Sequence, residues 1–181
     1  MKALLKNRTV SICITVMIVI LATLFGSHRS LTAAAYPVER YFIEGEDEYS
    51  IQQQLDIREE LARNLMVVAE QYLYVDDAAL IDLENALTAM EDADTVKEKS
   101  AANQLLTTAT ERMDYVLAEC QLSSADNRYR LSLRSDLATC NQNIRQSEYN
   151  TLVTTYNTDV LGEFPANILK KMTFVSELET F

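Results

Sequence analysis

Residues 147–168 read SEYNTLVTTYNTDVLGEFPANI, with Tyr-Asn at 149–150, Tyr-Asn again at 156–157, and then Phe164-Pro165. Seven residues make two helical turns with a drift of only about 20°, so Tyr149 and Tyr156 share one helix face. Leu152, Val153 and Val160 fill the space between them. Tyrosine brings a large apolar ring and a hydroxyl that needs a partner when buried. Asn150 and Asn157 stack on the adjacent face. Asparagine is a mediocre helix former because its amide competes with the backbone. Two at one azimuth predict directed hydrogen bonds to a neighbouring helix, fixing its register. Gly162 is placed for a left-handed C-terminal cap, and Pro165 forbids continuation. The pair repeats because the helix repeats, which makes this a seam in a helical bundle.

The rest of the composition agrees. Among 181 residues there are three glycines and two prolines, too few for the frequent turns of a sheet domain. The net charge is −11, and the first 35 residues hold four bases (Lys2, Lys6, Arg8, Arg29) and no acid, which leaves −15 on the remainder. A field of that sign repels phosphate backbones and excludes nucleic acid as a partner.

Residues 9–26, TVSICITVMIVILATLFG, carry no charge. Eighteen residues at the helical rise span about 27 Å, the thickness of a thin hydrocarbon core. Residues 1–8 precede this span as a basic N-terminus, and acidic residues from Glu39 onward follow it. The Lys/Arg distribution places the N-terminus in the cytoplasm and the main domain outside a cell membrane, with lipid contacted through 9–26. Ala33, Ala34 and Ala35 resemble a cleavage site. The apolar run is longer than a signal core, however, and ends nine residues before Ala35, which favours a retained anchor. An exported domain permits a disulfide. Cys120 and Cys140 nevertheless fall at levels about 15–20 Å apart in a helical hairpin, beyond bridging range, and read as buried thiols.

A polar connection over 27–46 follows the anchor, with Pro37 and Gly45 as breakers. The bundle domain then occupies 47–181. Ile51, Leu55, Arg58, Ala62, Leu65, Ala69 and Tyr72 recur at 4-3-4-3-4-3 and predict a helix over 47–74. Asp76 or Asp77 caps a second helix to Met90, and EDADT (91–95) is a solvated turn. A third helix covers 96–121 with Leu105, Leu106, Ala109, Met113, Val116 and Leu117 inward. Ser123, Ser124 or Asp126 opens a fourth that runs to 161 with Leu133, Leu137, Cys140 and Ile144 inward. Ile168, Met172, Val175 and Leu178 fit a last short helix packed over one end, with Lys170 and Lys171 alternatively placed for lipid headgroups. The expected fold is all-α: one N-terminal transmembrane helix, an elongated antiparallel four-helix bundle and a short C-terminal helix.

Arg58 interrupts an apolar stripe, and a buried guanidinium needs an acceptor. An acid or amide on the fourth helix, such as Asn150 or Asn157, is the expected partner. An anion or protein site is the alternative. Catalytic or metal constellations are hard to assemble. His28 is the only histidine, there is no paired Glu-x-x-His, no Gly-rich phosphate loop and no Cys–His pair within the domain. No enzymatic activity, metal or cofactor is expected.

Tyr149-Asn150, Tyr156-Asn157 and Phe164-Pro165, followed by Phe174 and Phe181, resemble the C-terminal signature of the LemA family. Arg58, Glu60, Leu61, Asn64 and Leu65, within REELARNL, match a second family pattern. The family usually has Ile-Pro where Ala62-Arg63 stand, an Ala-Arg where Ala86-Leu87 stand, and a Tyr-Pro near Cys120-Gln121, so the chain reads as a divergent member. The resemblance covers 47–181. It implies a bacterial, membrane-anchored helical bundle with no defined enzymatic activity. The expectation is a tethered scaffold for an unidentified membrane or envelope protein, with self-association left open. The alternative is a sensory or ligand-binding bundle that acts through a partner protein.

Overall fold

The computed structural model describes residues 8–45 and 49–181. Expectations that rest on Lys2, Lys6, and on residues 46–48 fall outside the described residues. The architecture is all-α, with no strand among the described residues. The helices are α1 (Arg8–Glu44), α2 (Ile51–Ala69), α3 (Ala78–Glu91), α4 (Val96–Glu119), α5 (Ser124–Gln146), α6 (Tyr149–Thr155) and α7 (Ala166–Thr173); one π-helical segment, Tyr156–Val160, follows α6. The described chain divides into two compact units, one of residues 8–39 with 151–178, the other of residues 40–150 with 179–181.

The second unit holds the bundle. Helix α3 packs chiefly on α4 and α2 on α5, and α2 also meets α3 and α4. Short connections make successive helices antiparallel neighbours. Leu55, Ala62, Leu65, Leu83, Leu106, Met113 and Leu117 are almost wholly inaccessible and form its centre. Each helix start has the cap its sequence offers. Ser50 accepts from Gln53 N–H and Asp77 from Ala79 N–H; Thr95 and Glu98 form a reciprocal capping box; Ser123 accepts from Asp126 N–H.

Helix α2 ends at Ala69 rather than 74, because Tyr72 leaves the helical path. Its hydroxyl donates to Asp126 and accepts from Ser123 N–H, tying the end of α2 to the start of α5. The predicted fourth helix is also interrupted. Ser147 takes an extended conformation (ψ 136°), and its hydroxyl accepts from Tyr149 N–H, which restarts the helix. Leu105, expected inside, is 55% exposed. Cys140 is buried, and burial raises its thiol pKa, whereas Cys120 is only partly covered.

The polar connection expected over 27–46 is helical through Glu44. Pro37 lies inside α1, but it and Ala33, whose carbonyl loses its donor, are both exposed, which leaves that carbonyl open to solvent. The helix stops at Gly45, whose φ of +68° is a left-handed cap.

In the first unit, Leu31 and Ala35 of α1 pack with Tyr156 and Leu161, and Val38, Val160, Ala166, Val175 and Leu178 close around them. Gly162 is not left-handed. Its hydrogens face the carbonyl of Thr158, where a Cβ would overlap the backbone oxygen. The predicted last helix ends early, at Thr173, because Phe174 turns left-handed (φ 57°). Val175 and Leu178 therefore lie on a non-helical C-terminal strap, not on a helix face.

Candidate functional site

The asparagines of the two Tyr-Asn pairs bond to the strap and not to the neighbouring helix that their spacing predicts. Asn157 Nδ2 donates to Leu178 O at 2.9 Å, and its Oδ1 accepts from Leu178 N–H at 2.9 Å. Asn150 does the same for Phe181, at 2.8 and 2.7 Å. Each side-chain amide thus imitates a peptide group in a two-bond pair, which satisfies both main-chain groups of one strap residue.

The tyrosines take the next levels. Tyr149 OH donates to Glu179 O at 3.0 Å, and its ring meets Phe42 edge-on at 5.2 Å. Phe42 also packs on Phe181 and lies under the Lys99 ammonium. Tyr156 OH donates to Leu31 O at 3.0 Å inside the first unit, where burial, with Glu39 nearby, raises its pKa. Phe164 and Pro165 of the same signature are exposed. They shape the turn into α7 and bury nothing.

Arg58 is the largest fully inaccessible side chain, 1% exposed. Neither Asn150 nor Asn157 reaches it. Its Nη2 donates to Thr107 Oγ1 on α4 at 2.8 Å. Thr107 also accepts from Asn141 Nδ2 and donates to Asn103 O, so its capacity is used up. Arg58 Nε and Nη1 are buried and have no partner among the described residues. Burial is the main reason its pKa falls to about 10; Arg145 pushes the same way, while Cys140 and Glu111 oppose it.

Beside Arg58 lies a groove of about 610 Å³ between α2, α4 and α5. Leu65 and Leu137 line its apolar part, and Arg130, Arg134 and Arg145 bring further positive charge. Arg130 is itself buried and paired with Asp114, which also receives Arg134 at 3.4 Å. Of the REELARNL residues, Arg58 and Leu65 meet at this groove, whereas Glu60 is exposed and Leu61 and Asn64 are half-buried elsewhere on α2. The arginines of α5 carried no pattern legible in the sequence. They are dispersed at 130, 134 and 145, and the α2–α5 pairing brings them to the groove that Arg58 lines.

A model of the LemA family matches residues 48–181, about three quarters of the chain. No curated protein matches it.

Proposed function

The chain belongs to the LemA family, and on that footing we propose that it is a membrane-tethered interaction module that works by presenting surface and not by turnover. One observation carries the tether. Helix α1 is long and apolar enough to cross a membrane, and none of its most apolar window is buried within the protein. Met17, Ile18, Leu21 and Phe25 are 59–70% exposed. Side chains of this kind, so exposed in water over eighteen uncharged residues, would aggregate; in hydrocarbon they are at home.

Unit one extends this apolar surface past the span. His28, two residues beyond residue 26, donates from Nδ1 to Thr173 O at 3.0 Å, which holds the end of α7 at that level. Met172 and Phe174 flank Thr173 and are 53% and 91% exposed. Lys171 is exposed beside them. An apolar tip next to lysine fits the boundary between hydrocarbon and headgroups. In this reading the N-terminus is cytoplasmic and the bundle stands outside the membrane, where it meets an envelope or membrane protein.

Photocrosslinking from the bundle surface in intact cells, followed by identification of captured proteins, tests the reading. Membrane or envelope proteins captured reproducibly would support it. Release of the chain from membranes by alkaline carbonate would overturn the tether.

A further inference from the structure

We propose that the groove beside Arg58 binds a small oxyanion, a carboxylate or a phosphate group carrying a compact organic body. The charged end would rest on Arg58 and Arg145, and the body against Leu65, Leu137 and the ring of Tyr115. This site lies within the bundle and does not depend on which partner the module meets.

The first support is an incomplete hydrogen-bond account. A guanidinium has five N–H donors, and burying one without acceptors costs free energy unless something supplies them. Arg58 is 1% exposed, its Nε and Nη1 have no partner among the described residues, and the acceptor it does have, Thr107, has nothing left to offer. No salt bridge within the described residues involves Arg58. A buried cation in this position calls for an anion.

Local charge is the second. Outside its first 35 residues the chain carries −15, yet the groove wall holds four arginines against two carboxylates, Glu111 and Asp114. Asp114 is already held by Arg130 and Arg134. Arg145 forms no salt bridge among the described residues and lies near enough to Arg58 to depress its pKa. Two like charges facing one groove in an acidic protein are a poor way to stabilise a bundle and a good way to hold an oxyanion.

Third is room. The groove, at about 610 Å³, falls within the range of small-molecule sites, with apolar walls and a few convergent polar groups. Tyr115, 69% exposed at the edge, can close over a ring or alkyl chain.

Calorimetric titration of the full chain in neutral-detergent micelles, at fixed ionic strength, tests this with inorganic phosphate, benzoate and the uncharged isostere benzamide. At least one anion should bind saturably at one site per chain, and benzamide should not. Tighter binding of phosphate would assign a phosphoryl ligand; tighter binding of benzoate, a carboxylate with an apolar body. The surface double variant Arg134→Gln/Arg145→Gln should weaken binding about tenfold or more while leaving the melting temperature in place. Arg58→Met should abolish it. Failure of both anions to saturate, equal binding of benzamide, or unchanged affinity in the double variant would each overturn the proposal.

Discussion

Asn157 grips Leu178 by its main chain alone: the amide nitrogen donates to Leu178 O and the amide oxygen accepts from Leu178 N, both at 2.9 Å. Asn150 holds Phe181 in the same manner. Asn157→Ala removes both bonds and should cost about 1–3 kcal/mol in local stability. Amide exchange at Leu178 should accelerate by about tenfold or more, while Asn150→Ala does the same at Phe181. Asn157→Asp keeps the acceptor but sets a carboxylate against the Leu178 carbonyl, and should perform no better than alanine. Exchange at Leu178 that ignores Asn157 would refute the grip.

Arg58 gives a second expectation. Because it has one hydrogen-bond partner and no salt bridge among the described residues, its polar head adds little to the unliganded bundle. Arg58→Met keeps the stem and removes the buried charge; its stability should stay within about 1 kcal/mol of the parent or exceed it. Arg58→Ala leaves a hole and should cost about 3 kcal/mol. Equal losses in the two variants, read by chemical denaturation, would point to a polar contact the geometry lacks.

Gly162 distinguishes two reasons for a glycine. At a left-handed cap asparagine is the best substitute. Here the Thr158 carbonyl occupies the place of a Cβ, so Gly162→Asn and Gly162→Ala should both destabilise, each by about 2 kcal/mol or more. A melt in which asparagine is tolerated and alanine is not would restore the left-handed cap.

Acid sensitivity follows from two caps. Hydrogen bonds from Ser123 and then Tyr72 lower the Asp126 pKa, and those from Thr95 and Asp94 lower that of Glu98. Both carboxyls are therefore more acidic folded than unfolded. Their contribution is complete above the ordinary carboxyl range and is lost as pH falls through the folded values. The urea midpoint should drop on acidification below pH 4 or so, and Asp126→Asn should flatten that slope. A slope unaltered in Asp126→Asn would remove the cap from the account.

The chain has no tryptophan, so Phe174→Trp gives a single reporter at the tip of α7. In vesicles its emission should be blue-shifted and quenched by brominated lipid. Emission typical of water would show that this tip stands clear of the bilayer.

Helix periodicity exposed most of this architecture. Ile51 through Ala69 fell inward at their 4-3-4 spacing, and Ser50, Asp77, Thr95 and Ser123 capped where short polar residues precede apolar runs. Two misreadings came from giving single residues too much weight. Pro37 reads as a breaker, although Leu31, Ala35, Val38 and Phe42 sit at 4-3-4 across it. Val175 and Leu178 fitted a helical period by coincidence, and nothing upstream announced that Phe174 would adopt φ 57°. The asparagine rungs were half legible. A helix advances about 10 Å in seven residues and an extended chain about 10 Å in three, so Asn at n and n+7 suits peptides at m and m+3. Leu178 and Phe181 have that separation. The Arg58 groove was the least legible part, because it depends on which helices pair, and no local pattern encodes that.

The rungs also separate what holds the tail from what packs it. What Asn150 and Asn157 hold is present in every amino acid but proline, so these bonds ask nothing of the side chains at 178 and 181, whose character is set instead by the packing of Leu178 in the first unit and of Phe181 on Phe42. A tail that forms no helix can still be firmly moored, and the record of that mooring is written 21 and 31 residues upstream.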